Sequence, residues 1–170
     1  MTLIFDASVP VAIHGLKALA ALLQKAEAHC TAKNIKPEAL LQFRLFPDMF
    51  PLAQQVQLTS DFGKGMGVRL SGSTNPSFAD VEKTFEELQA RIAKTIEFLQ
   101  SLDSKLFDEA ATRMVTMRIS RTEEKTVTGA EYLSRAALPN FYFHLATAYN
   151  ILRHNGVDVG KGDYMGRSIT

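Results

Sequence analysis

A chain of 170 residues, 46% hydrophobic and 22% charged, is sized for one domain spanning 1–170 with a proper buried core. Nineteen Lys and Arg against 18 Asp and Glu leave a net charge of +1 with no basic run, which excludes long-range attraction to nucleic acid or anionic lipid. The single cysteine, Cys30, excludes an internal disulfide and a cysteine-rich metal site. Met1 to Asp6 lacks the basic start and long apolar core of a signal peptide, and no apolar run approaches the ~20 residues that span a bilayer. The expectation is a cytoplasmic protein with no membrane partner.

Ser8 reads as an N-cap and Pro10 as a first-turn proline. Val9, Ile13, Leu16, Ala20, Leu23 and Glu27 then follow helical spacing, joined by Ala12, Leu19, Ala26 and Cys30, to about Lys33. Asn34 and Pro37 close this first long helix. His14 and His29 project from its other side as surface histidines, and Glu27 reaches solvent or an arginine. Glu38 to Leu45 reads as a short helical turn or two. Phe46-Pro47-Asp48-Met49-Phe50-Pro51 follows as a stiff connector whose aromatics plug one end of the molecule.

The second long helix is expected from about Leu52 to Leu70, with Leu52, Val56, Thr59, Gly63, Met66, Gly67 and Leu70 on its core face. Gln54, Gln57, Asp61 and Lys64 line its polar side. Glycine inside a helix costs about 1 kcal/mol against alanine, so Gly63, Gly65 and Gly67 need a compensating reason. Close packing is one, and a small molecule lying against the helix is the other. The run is no phosphate loop, because no strand precedes it and the spacing does not match.

Ser71 to Pro76 is a loop by composition. Ser77 with Asp80 resembles a capping box, so a third helix is expected from there to Ser101. Val81, Phe85, Leu88, Ile92, Ile96 and Leu99 form its buried stripe. Glu82, Glu86, Arg91 and Lys94 form a solvated face with no implied chemistry.

Val115, Met117 and Ile119 alternate with polar residues, the two-residue period of a strand. Arg121 to Lys125 turns the chain and Thr126-Val127 pairs back. Such a hairpin is marginal alone and must lie on the helices. Thr128 with Glu131 forms a capping box leading into Leu138 to Gly166, the most specific stretch of the chain. Phe141, Leu145, Ala148 and Leu152 share one face of this last helix at ~100° per residue. His144 lies along one edge of that face and Tyr149 along the other. Pro139 either kinks one helix or separates two. Asn155-Gly156 is a stop. Tyr142 and Phe143 are apolar on the opposite face, which the tail, another element or a second subunit would cover.

Four long helices and one late hairpin predict an all-α, up-down four-helix bundle with a small β insertion. This order resembles the DinB-like superfamily of bacterial four-helix bundles, which also includes the YfiT-like proteins. Within it the chain resembles a bacterial family of unknown function from roughly residue 6 to 166. The resemblance is carried by Pro47-Asp48-Met49-Phe50-Pro51-Leu52, Gln54-Gln55-Val56-Gln57 and Leu138-Pro139-Asn140-Phe141-Tyr142-Phe143-His144. Ile151-Leu152-Arg153-His154-Asn155-Gly156-Val157 and Gly160-Lys161 continue it. It implies a homodimer. It also implies a divalent-metal site of three histidines, one on the second helix and two at H-x-x-x-H spacing on the last. Some relatives transfer thiols or isomerise thiol adducts at that metal.

The residues depart from that site. The second helix has no histidine, and Ala148 stands four residues after His144. His154 lies ten residues on, roughly 15 Å along the axis at 1.5 Å per residue, and cannot share an ion with His144 at ~2 Å ligand distances. The sequence therefore predicts no metal and no other cofactor. Two functions stand. The first is a dimeric binding or structural module holding a small ligand between helices, its pocket lined by His144, Gln54, Gln57, Asp61 and Tyr149. The alternative is a metal-weak or metal-free thiol-dependent transferase or isomerase using His144 with Asp61 and Gln57 as an acid–base group.

Overall fold

A computed structural model describes residues 3–120 and 122–167. In chain order the elements are α1 (Leu3–Asp6), α2 (Val9–Lys33), α3 (Pro37–Leu41), α4 (Leu52–Ser71) and α5 (Phe85–Gln100). A 3-10 turn (Ser104–Phe107), β1 (Met114–Arg118), β2 (Glu124–Thr128) and α6 (Gly129–Tyr132) follow. A π-helical turn (Leu133–Ala137), α7 (Leu138–His154) and α8 (Lys161–Tyr164) complete the chain. The long helices α2, α4, α5 and α7 form the four-helix bundle, with α4 packed on α7, α5 and α2.

The core is built from the stripes that helical spacing dictates. In α2 the buried residues include Val9, Ala12, Leu16, Leu19, Leu23, Ala26 and Cys30, joined by Gly15, Ala18 and Leu22, with Ile13 and Ala20 half-buried and Glu27 in solvent. By length and composition the run Leu3–Lys33 is apolar enough to cross a bilayer, contrary to the sequence expectation. Its buried stripe faces α4, α5 and α7. Asn34 ends α2 in the left-handed conformation at φ 53°, as its short polar side chain permits. Ser8 does not cap α2; its hydroxyl donates back to the carbonyls of Ile4 and Phe5.

Phe141 fills the middle of the bundle, and two glycines make room for it. A Cβ on Gly15 would sit 2.7 Å from the Phe141 ring, and one on Gly63 would sit 3.4 Å from it. A Cβ on Gly67 would sit 2.8 Å from Leu99 and Leu102. Close packing is thus the reason for the glycines on α4's core face.

Three local expectations are corrected. The third helix begins at Phe85, where Thr84 and Glu87 form the capping box, and not at the Ser77–Asp80 pair. Residues 73–84 form an extended strap, and Val81 is 69% exposed. The connector aromatics Phe46 and Phe50 stay exposed and plug nothing. The short helix after Pro37 stops at Leu41.

The hairpin lies before the last helix, pairing Met114 with Thr128 through Arg118 with Glu124. Glu124 and Lys125 are therefore strand rather than turn; Arg121 lies outside the described residues. The Thr128–Glu131 capping box forms as the spacing predicts. Gly129 has no room for a side chain, since a Cβ would lie 1.9 Å from the Ala110 carbonyl oxygen. From there the chain stays helical to His154. The π turn at Leu133–Ala137 precedes Pro139, and the carbonyl of Ala136 accepts a 2.7 Å hydrogen bond from Asn140 Nδ2. Pro139 neither breaks the helix nor separates two.

Candidate functional site

His144 is 7% exposed and sits between α7 and α4. Its ring stacks on Phe62 at 5.4 Å with an interplanar angle of 13°, and Phe143 meets its edge at 5.2 Å. Gln55 fixes its tautomer. The Gln55 side-chain amide donates to the Phe50 carbonyl at 3.1 Å, so its Oε1 faces the imidazole and accepts from His144 Nδ1 at 2.8 Å. The proton therefore resides on Nδ1, and burial pushes the imidazole below the ordinary histidine value of 6.5. His144 is held neutral and oriented.

The sequence-predicted partners lie elsewhere. At ~100° per residue, Gln57 and Asp61 are about 200° and 240° round α4 from Gln55. Gln57 donates to Glu82 Oε2 at 2.9 Å, and Asp61 pairs with Arg91 at 2.9 Å and Lys64 at 3.4 Å. Gln54 is half-buried. Tyr149 packs edge-on against Tyr164 at 5.7 Å. Of the predicted set, Asp61 lines a surface cavity, together with Lys64 and the strap residues Asn75 to Phe78. His144, Gln57 and Asp61 are thus not brought together. No acid–base group forms from them.

On the Asp61 side, α4 carries an ionic assembly that the solvated-face reading of α5 missed. Arg91 is 2% exposed and pairs with Asp61, with Asp80 at 2.8 Å and with Glu82 at 3.0 Å; it also donates to the Ala79 carbonyl. Burial pushes the Glu82 carboxyl up, but hydrogen bonds from Arg91 and Gln57 and the Arg91 charge hold it below the ordinary 4.5. Lys64 donates to the Pro76 carbonyl and lies 4.4 Å over the Phe78 ring. This assembly ties the strap to α4 and α5. Arg91 does follow Leu88 by three residues and precedes Thr95 by four, which is the spacing of the buried stripe.

Asp163 is pinned to α2 by Lys25 at 2.7 Å and to the Gly160 amide. His14 Nε2 donates to the Met165 carbonyl, and His154 lies against Phe43 at 5.6 Å.

Gln55, Phe62 and Arg69 recur every seven residues, so they share one side of α4. Past Phe62, this side opens into a cavity of about 430 Å³ between α4, the hairpin and the π turn. Tyr132, Arg118 and Arg135 join Phe62 and Arg69 in its wall. Sequence reading missed this cavity because no single segment carries its signal.

A family model described as a domain of unknown function (DUF1993) matches residues 4–165. The chain belongs to that family. A crystal structure at 1.83 Å of a DinB family member from Shewanella denitrificans is 41% identical, with a TM-score of 0.88 over 95% of this chain and 90% of that one. Among curated proteins no match is found.

The DinB likeness makes a divalent metal the group to test. At the facing positions stand one imidazole, the Gln55 amide and the Phe62 ring, and Ala148 is a buried methyl. Gln55 is already committed to Phe50 and His144. Among the described residues no three His, Cys, Asp or Glu side chains converge to hold an ion. This donor set does not fit a transition metal, which needs several imidazole, thiolate or carboxylate ligands.

Proposed function

We propose that this protein is a dimeric binding module that keeps the DinB scaffold without its three-histidine metal site and takes a small ligand in the cavity beside Phe62. The observation carrying this reading is the Gln55–His144 hydrogen bond, with Gln55 anchored on Phe50. An amide and an aromatic ring are what α4 sets against this imidazole, and they hold it for packing. The second subunit is argued from α7. Among the described residues Tyr142 and Phe143 remain exposed, at 42% and 58%, on a face that an isolated helix would make polar.

Elemental analysis of protein purified without an affinity tag tests the first part, with less than a tenth of an equivalent of nickel, zinc or iron expected. A stoichiometric ion overturns it. Light scattering tests the second, with a dimer expected for the natural chain and a monomer for Phe143→Glu. A monomeric natural chain removes the dimer.

A further inference from the structure

We infer that the cavity beside Phe62 takes a small organic anion with an apolar body, an acid whose carboxylate or phosphate is carried on an aromatic or branched skeleton. The inference rests on the binding-module reading and gives its ligand a chemical class.

Charge is the first observation. Arg69 from α4, Arg118 from β1 and Arg135 from the π turn line one cavity of about 430 Å³, and among the described residues no carboxylate lines it with them. Glu131 meets Arg135 at 3.5 Å, but as an exposed pair one turn apart on the helix, which water largely screens. On a chain of net charge +1, three arginines from three elements around one concavity make a local positive field, Arg69 beside Phe62 and the exposed Arg118 and Arg135 at the rim. Their planar forks match carboxylate and phosphate oxygens.

Arg69 is also positioned. Its Nη1 donates to the Tyr132 hydroxyl at 3.4 Å, and its guanidinium carbon stands 5.6 Å from that ring's centre. It folds back over Gly65, where a Cβ would lie 2.6 Å from Nη1. Gly65 is the one of the three α4 glycines that the bundle's apolar packing does not explain. Its missing side chain is the space in which this guanidinium rests.

The apolar half of the ligand is read from the hairpin. Along the inner face of β1, Val115 is buried, Met117 is half-buried and Ile119 just beyond is 54% exposed. The hairpin thus lifts away from the bundle toward its tip. Met117 and Ile119 are left over the cavity opposite Phe62. A purely inorganic anion would leave these side chains uncovered, and a neutral apolar molecule would leave the guanidiniums facing hydrocarbon. The volume lies within the ~300–1,000 Å³ of small-molecule sites.

The test is a titration of the full chain with phenyl phosphate, phenylacetate, inorganic phosphate and the neutral 2-phenylacetamide, followed by heat and by backbone amide shifts. The two aromatic anions should bind saturably, one per chain, moving the amides of Arg69, Ile119 and Tyr132. Inorganic phosphate and the neutral amide should each bind at least about tenfold more weakly. Whichever anion binds tighter names the headgroup. Arg69→Ala should weaken the better anion about tenfold or more, and Arg118→Ala at the rim by less, each at an unchanged melting temperature. Gly65→Ala should act as Arg69→Ala does, by displacing Arg69. Equal binding of 2-phenylacetamide at these amides would overturn the anion while sparing the binding module. Equal binding of inorganic phosphate would overturn the apolar body. Absence of any shift at these amides would overturn the inference together with the cavity as a ligand site.

Discussion

The two polar sides of α4 solve the same problem in opposite ways. On one side Gln55 and His144 form a neutral pair, sealed by Phe62 and anchored on a backbone carbonyl. On the other, Gln57, Asp61 and Lys64 join a charged assembly around Arg91, which holds down a strap with no secondary structure of its own. A neutral pair needs one hydrogen bond of the right geometry, whereas a buried guanidinium needs several oxygens to offset its lost hydration. One helix therefore locks a histidine on one flank and clamps a loop on the other. That division is why its polar residues do not make a single site.

The sharpest way to break the comparison is to remove Arg91. Arg91→Ala leaves Glu82, only 10% exposed at its side chain, without its cation. It is expected to cost about 3 kcal/mol or more in urea denaturation, with earlier protease cleavage within residues 73–84. On the neutral flank the loss should be smaller. Gln55→Ala or His144→Ala should each cost about 1–3 kcal/mol by stranding the partner. The double variant should cost less than the sum, because the two share one interaction.

The pH dependence separates the flanks. The His144 pKa is lowered on folding, so the unfolded chain binds the proton more readily. Its contribution is full above the ordinary 6.5 and lost as pH falls from there through the folded value. The Glu82 pKa is also lowered, so its contribution is full above the ordinary 4.5 and lost only as pH falls through its folded value. Thermal melts across pH should therefore show the neutral flank weakening first. His144→Gln should flatten the limb just below 6.5 while leaving the limb below 4.5 in place. The smallest expected effect is at the strap's rim. Asp80 is 62% exposed, and Asp80→Asn should cost under about 1 kcal/mol.

What could be read from the sequence follows the range of each signal. The bounds of α2 and α4 agree with the expected helices within a residue or so, because apolar spacing, the Asn34 stop and the loop composition from Ser71 are local signals. The hairpin and the Thr128–Glu131 box were legible for the same reason. The strap was not. Ser77 and Asp80 have the spacing of a capping box, yet Asp80 is drawn across to Arg91, and the helix waits for Thr84 and Glu87. His144 was found as a candidate from its place on a helix edge, but its partner was not. Gln55 and Gln57 are two residues apart and face nearly opposite ways, so choosing between them needed the angle at which α7 meets α4. The cavity was least legible, since Arg69, Arg118 and Arg135 come together only through the placement of the hairpin.

The claim that His144 is held by Gln55 rather than by an ion is tested most directly by nitrogen-15 NMR of its ring. The account predicts a neutral imidazole protonated on Nδ1, titrating below 6.5, with ring resonances unmoved by one equivalent of zinc. A ring that titrates at or above 6.5, or one whose Nε2 shifts to a metal-bound position on adding zinc, would contradict it.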